Sequence, residues 1–268
     1  RSSDLYTWMV EGLLAQDTAD ILTVSIGRAS DDNDNIGTHM IIPSGEAVQG
    51  NYAVTYVNGV LTITTKPADS GDITAVQSDE ETLIYTGESL KPTIVIKDGD
   101  DILTEDPDGD GQETGDYTIT YEGVSPTVYP NSPTPPANAG TYKAVITFKD
   151  NYTGIREVEY SVDKAVPNIT VNPAAGDITY GQKLSDSELS GGEVKDVNNN
   201  VMAGTFSWEN AETEPSVSDS GTTTYRAVFI PADPANYASA MADVTITVNK
   251  ITTDKSTLSD DKDRKSVV

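Results

Sequence analysis

The feature that most limits what this chain can fold into is a pattern that occurs three times. An Asn-Tyr pair is followed 13 to 15 residues later by a lysine, with β-branched residues crowded between them. The copies are Asn51-Tyr52 through Val60-Leu61-Thr62-Ile63-Thr64 to Lys66, Asn151-Tyr152 through Val158-Glu159-Tyr160-Ser161-Val162 to Lys164, and Asn236-Tyr237 through Val244-Thr245-Ile246-Thr247-Val248 to Lys250. Upstream of each, by 14, 11 and 15 residues, a Gly-Thr pair opens another run: Gly37-Thr38, Gly140-Thr141 and Gly221-Thr222. A further element recurs twice, Ile84-Tyr85-Thr86-Gly87 and Thr179-Tyr180-Gly181, each followed by a leucine. Co-ordinated spacing of this kind marks one small structural unit used repeatedly. It divides the chain into modules 1–66, 67–164 and 165–250, with 251–268 a tail or the start of a following module. The joints Lys66-Pro67-Ala68 and Lys164-Ala165-Val166-Pro167 are short and contain proline, which restricts its predecessor to extended geometry, so an elongated, semi-rigid arrangement is expected.

The units are β. Tyr142, Ala144, Ile146 and Phe148 alternate with Lys143, Val145 and Thr147; Tyr117, Ile119 and Tyr121 alternate with Thr118, Thr120 and Glu122. Such alternation reads as antiparallel strand with one face on a core. The chain holds 33 Thr, 24 Val and 19 Ile, residues suited to a pleated, half-buried surface. The fold class expected is all-β: tandem small antiparallel β modules, an Ig-like β-sandwich for modules 2 and 3, and a β-grasp-like module 1 with one short helix. That helix is placed over Gln16–Leu22, capped by Asp17 or Thr18. Asn58-Gly59 reads as a tight hairpin turn between Tyr52–Val57 and Val60–Thr65.

Charge removes several functions. With 43 Asp and Glu against 17 Lys and Arg, the net charge is −26. Phosphate backbones repel such a chain, so no nucleic-acid partner is expected. There is no cysteine and one histidine, which excludes disulfides, thiolate chemistry and multi-histidine metal centres. No run of 18 apolar residues exists for membrane insertion. The chain opens at Arg1 without a leader and reads as a segment of a longer protein. More than half the net charge, −14, lies in module 2.

Within that module Asp106, Asp108 and Asp110, followed by Gly111, have the spacing of the first half of a calcium loop. There, alternate carboxylates converge on the ion and glycine permits the turn. Glu113 and Asp116 are further candidate ligands, and Asp98, Asp100 and Asp101 add charge nearby. Position 12 is Tyr117 rather than glutamate, so two readings stay open: a loose Ca²⁺ site or a solvated acidic insertion. Asp31–Asn35 is a turn of the ordinary Asx type. His39 stands where another module has tyrosine and reads as a strand residue. Trp8, in an apolar strand, and Trp208 read as core rather than sugar-stacking residues. The proline-rich stretch Val124–Ala137 reads as an extended, exposed insertion. Catalytic carboxylate pairs need a cleft that modules this small rarely supply, so no enzyme is expected. An isopeptide bond from Lys66, Lys164 or Lys250 is disfavoured because joint lysines are expected to be exposed.

Tyr6-Thr7-Trp8, Glu11-Gly12-Leu13, Gly50-Asn51-Tyr52 and Tyr56-Val57-Asn58-Gly59-Val60-Leu61-Thr62-Ile63-Thr64 give module 1 a resemblance to the MBG domain, the YGX-type repeat of bacterial surface proteins. It lacks that family's opening Tyr-Gly strand. Modules 2 and 3 are similar to bacterial immunoglobulin-like and MBG-type repeats of adhesin-like proteins. The residues that carry this are Tyr85-Thr86-Gly87, Asn138-Ala139-Gly140-Thr141-Tyr142 and Asp150-Asn151-Tyr152-Thr153-Gly154 in module 2. In module 3 they are Ile178-Thr179-Tyr180-Gly181-Gln182, Ala203-Gly204-Thr205-Phe206-Ser207-Trp208 and Asp233-Pro234-Ala235-Asn236-Tyr237. The resemblance implies an extracellular, non-catalytic stalk on a bacterial surface, monomeric within a longer chain. The alternative is a Ca²⁺-dependent adhesion or carbohydrate-binding module built on residues 98–137, with a host glycan or protein as ligand.

Overall fold

The computed structural model describes residues 6–29, 35–77, 82–106 and 115–253. It is all-β, short strands joined by turns, with single 3-10 turns at Ala19–Ile21, Leu184–Asp186 and Val217–Asp219. The chain forms two compact units, one of residues 1–76, 94–119 and 145–158 and the other of 77–93, 120–144 and 159–268. The middle repeat of the sequence contributes to both.

In the first unit Gly37–Ser44 is a central strand, antiparallel to Ser25–Arg28 on one side and to Gly59–Ile63 on the other. His39 lies opposite Leu61, and alternation turns His39, Ile41, Leu61 and Ile63 inward while Met40 and Val60 face solvent. This register overturns the expected hairpin at Asn58-Gly59. Gly59 does not turn the chain; it opens a strand opposite Ile41. The tight turn comes earlier, where Gln49 pairs with Tyr52 across Gly50-Asn51 and Gly50 takes a φ of +60°. Both dipeptides tolerate positive φ. The choice falls to the five-residue ladder with Gly37–Ile41, which lines Leu61 and Ile63 up on the face of His39.

The expected helix over Gln16–Leu22 is also corrected, to the 3-10 turn Ala19–Ile21. The Thr18 hydroxyl bonds the Asp20 carboxylate and the Asp17 carboxylate accepts from the Tyr52 hydroxyl. Neither caps the turn's backbone, so a longer helix has no start signal to hold it. The core of this unit joins Ala68, Ile73, Ile96, Leu103, Tyr117, Ile146 and Phe148.

Tyr117–Gly123, Gly140–Phe148, Ile155–Asp163 and Leu83–Ile84 form one sheet in that order. As the alternation predicts, Tyr142, Ala144, Ile146 and Phe148 are buried, and Tyr160 and Val162 likewise. In the second unit Thr224–Pro231 is flanked antiparallel by Gly204–Trp208 and Ala240–Thr245. The strands Asn168–Val171 and Ala174–Ala175 lie near Ala240–Thr245. Trp208 packs with Ile178, Leu184, Ala227, Val244 and Val248, and its indole N–H donates to the Ser187 carbonyl at 3.0 Å. Aromatic burial with the polar end satisfied is the core role expected of Trp208.

The recurring Tyr-Gly elements have a shared structural use. Leu83–Ile84 runs parallel to Val162–Asp163 and Ile178–Thr179 runs parallel to Val248–Asn249. The N–H of the following tyrosine, Tyr85 or Tyr180, then donates to Asp163 or Asn249 at 2.9 Å. Each opening element thus pairs with the closing strand of its own repeat.

Candidate functional site

The acidic insertion begins and ends on a strand bridge. Glu105 pairs with Tyr117, the Asp106 N–H donates to the Tyr117 carbonyl at 2.8 Å, and the Asp116 N–H donates to the Thr104 carbonyl at 2.7 Å. Asp116 also accepts from the Thr104 N–H at 2.8 Å and its hydroxyl at 3.2 Å. Asp106 is 1% exposed, and its carboxylate is paired with the Lys149 ammonium. Lys149 also donates its backbone N–H to the Asp116 carbonyl at 2.9 Å. Gly115 packs so closely that a Cβ there would lie 2.4 Å from the Asp106 nitrogen. Of the five candidate calcium ligands, then, Asp106 and Asp116 are the two feet of the loop; Asp108, Asp110 and Glu113 lie outside the described residues. Among the described residues no three acidic or histidine side chains converge on a point where a metal ion fits.

A buried carboxylate must be paired or hydrogen-bonded, and Lys149 does this for Asp106. Sequence reasoning passed over Lys149. It closes the alternating run that ends at Phe148, and nothing local links it to a residue 43 positions away.

Asp98 is committed elsewhere. It accepts from the Lys66 ammonium at 2.5 Å and from the Tyr152 hydroxyl at 3.2 Å, while Lys66 also reaches Asp72 at 2.9 Å. These carboxylates hold the Lys66 ammonium above the usual lysine range. Burial, then the charge of Asp98, pushes the Tyr152 phenol up to about 12. Lys66 is therefore half-buried rather than exposed as expected, whereas Lys164 is exposed and donates to the Pro234 carbonyl at 2.6 Å. Asp100 and Asp101 stand exposed beside the turn at Gly99, whose φ is +59°.

The proline-rich stretch differs from expectation. It folds back on its own strands: Ser132 bridges Tyr121, Gly123 donates to the Tyr129 carbonyl at 2.9 Å, and Leu90 donates to the Pro136 carbonyl at 2.9 Å. Pro136 is fully buried, and the Tyr129 ring meets Tyr142 edge-on at 5.9 Å. Val128 remains 95% exposed at the tip. Composition made the segment look extended; the buried Pro136 and the half-buried Tyr129, its ring on Tyr142, hold it down. Trp8 is half-buried but lies outside any strand. His39 is buried, with Nε2 donating to the Asn35 carbonyl at 2.8 Å. Of the turn Asp31–Asn35, only Asn35 is among the described residues.

The joints are strands of the repeat they lead into. Lys66–Pro67 runs parallel to Tyr152–Thr153, with Lys66 N–H donating to the Asn151 carbonyl and Ala68 N–H to the Thr153 carbonyl at 2.9 and 2.7 Å. Ala165 bridges Tyr237 in parallel, donating to the Asn236 carbonyl at 3.0 Å and accepting from Ala238 at 2.9 Å. The Asn-Tyr motif therefore marks where an incoming joint is received.

Twenty-three chains of known structure resemble this one. Drosophila OTK, extracellular domains 3–5, has a TM-score of 0.30 and 11% identity, over 80% of this chain and 71% of that one. The insect immune protein hemolin has a TM-score of 0.23 and 10% identity, over 79% and 56%. The endo-fucoidan hydrolase MfFcnA4, of glycoside hydrolase family 107, has a TM-score of 0.20 and 13% identity, over 86% and 39%. TM-scores this low carry no argument about this chain. No curated protein matches it. The family comparison agrees with the resemblance read from the Gly-Asn-Tyr and Asn-Gly-Val-Leu-Thr-Ile residues: residues 3–62 match the MBG domain of the YGX type.

Proposed function

We propose that this chain is a non-catalytic, extracellular repeat segment that acts as a semi-rigid spacer in a bacterial surface protein. The observation that carries the reading is the treatment of the joints. A tether free to swing leaves its backbone groups to water, whereas Lys66–Pro67 and Ala165 are each hydrogen-bonded into the repeat that follows. Three of the described carboxylates in and beside the acidic insertion also serve as anchors: Asp106 to Lys149, Asp116 to Thr104, Asp98 to Lys66 and Tyr152. The MBG match over residues 3–62 supports an extracellular repeat protein. Stability without cysteine suits such a setting, because it is indifferent to redox state.

Small-angle scattering tests the spacer. A compact globule of 268 residues has a radius of gyration of about 18 Å; a spacer gives a value well above that, and a value at 18 Å sinks the proposal. The adhesion alternative is separated by glycan arrays and thermal melting with calcium or EDTA, where an EDTA-sensitive melting temperature or bound glycan is the result that favours it.

A further inference from the structure

One side chain has the same partner chemistry at both joints. At the first, Asn151 Oδ1 accepts the Ile36 N–H at 3.0 Å and Asn151 Nδ2 donates to Asn35 Oδ1 at 3.3 Å. At the second, Asn236 Oδ1 accepts the Ala139 N–H at 2.9 Å, and Asn236 Nδ2 donates to Asn138 Oδ1 at 3.4 Å and to the Asp233 carboxylate of its own repeat at 3.0 Å. The turns contacted have one sequence pattern, Asn35-Ile36-Gly37-Thr38 and Asn138-Ala139-Gly140-Thr141. They are also shaped by one device, because the ring two residues past the glycine bonds the carbonyl of the turn's asparagine. His39 Nε2 does so at Asn35 and the Tyr142 hydroxyl at Asn138, both at 2.8 Å. Histidine and tyrosine serve this position alike, since each presents one donor at the far edge of a ring.

We propose that the asparagine of the Asn-Tyr motif is the docking residue of a repeat, and that the surface it recognises is an Asn-x-Gly-Thr turn of the repeat before it. A carboxamide suits the task. Its oxygen takes a backbone N–H while its nitrogen donates to the turn's own asparagine, so one side chain reads both main chain and sequence. Alanine forfeits both bonds, and aspartate would set a carboxylate oxygen against Asn Oδ1. Burial follows the contact: Asn236 is buried, Asn151 is half-buried, and Asn51, at the same tip in the first repeat, is exposed. Asn51 is thus an internal control. The proposal is independent of where the protein resides or what it displays, so its test is separate from the scattering experiment.

Hydrogen exchange followed by NMR on the full chain tests it. Asn151→Ala is expected to speed exchange of the Ile36 N–H about 5-fold, the equivalent of one net hydrogen bond of ~1 kcal/mol, and to leave Ala139 unchanged. Asn236→Ala is expected to do the reverse, and Asn51→Ala to change neither. In the unsubstituted chain the carboxamide protons of Asn151 exchange more slowly than those of Asn51; those of Asn236 are held by Asp233 as well and do not enter the comparison. The proposal is overturned if Ile36 and Ala139 keep their rates in their own variants, or if Asn51→Ala accelerates either as much. It is overturned equally by acceleration spread evenly over Gly37–Ile42 in Asn151→Ala, or by equal carboxamide rates for Asn151 and Asn51 in the unsubstituted chain.

Discussion

Replacing Lys149 by alanine isolates the ion pair that holds Asp106 at the foot of the acidic insertion. Asp106 has no side-chain exposure, whereas the Lys149 side chain keeps 27% of its own. Removing one partner of a fully buried ion pair costs about 3–5 kcal/mol, because the other charge is left uncompensated; an exposed pair is worth about 0–1 kcal/mol. The vacated lysine volume opens toward solvent, so water partly replaces the ammonium, and the expected loss is about 2–3 kcal/mol. Asp106→Ala should cost less, about 1 kcal/mol, because Lys149 can turn its charge into water and no carboxylate stays buried. The double variant should match Asp106→Ala alone. Urea unfolding followed by circular dichroism measures all three; with slopes of about 1–3 kcal/mol/M, Lys149→Ala shifts the midpoint by roughly 1 M. If Lys149→Ala costs less than Asp106→Ala, or if both fall under about 0.5 kcal/mol, the loop is not anchored by this pair and the reasoning fails.

Other outcomes test separate parts of the account. Tyr160 is 5% exposed and its hydroxyl finds no hydrogen-bond partner among the described residues, so Tyr160→Phe should leave thermal stability unchanged or raise it. Tyr142→Phe, which deletes the bond to the Asn138 carbonyl, should cost about 1 kcal/mol. A Cβ on Gly204 would sit 2.2 Å from the Phe229 ring and 2.5 Å from the Ile230 carbonyl, so Gly204→Ala should destabilise by about 1–3 kcal/mol in denaturant melts. Tyr152 titrates near 12 instead of 10 because the fold disfavours its anion. Its contribution is therefore complete below pH 10 and lost between about 10 and 12, and in Tyr152→Phe the fall in stability over that window should be shallower.

Particular residues show how far the sequence could be read. The alternation Tyr142-x-Ala144-x-Ile146-x-Phe148 named its buried face correctly, because a strand's side-chain period is fixed by backbone geometry. The core role of Trp208 followed from the same periodicity, and the strand role of His39 from its place after Gly37-Thr38 in the repeat. Asn58-Gly59 misled because turn propensity is local, while the ladder between Gly37–Ile41 and Gly59–Ile63 is set by pairing across the sheet. Val124–Ala137 misled because its prolines say nothing of what they pack on. At the acidic insertion the spacing of Asp106, Asp108 and Asp110 was visible, but the lysine facing Asp106 was not.

The sequence by itself determined that this is an all-β chain with recurring Gly-Thr and Asn-Tyr elements, and that it holds no cysteine and a single histidine. Those properties reside in periodicity and composition, which need no partner in space. Only the tertiary structure decided what the repeated residues are for. In the second and third repeats a Tyr-Gly element pairs in parallel with the last strand, and the Asn-Tyr motif receives the joint and the turn of the repeat before it. These are contacts across long sequence separations, Asn35 with Asn151 and Asn138 with Asn236. A hydrogen bond depends on the distance and direction between two groups, and a chain fixes those only after it has folded.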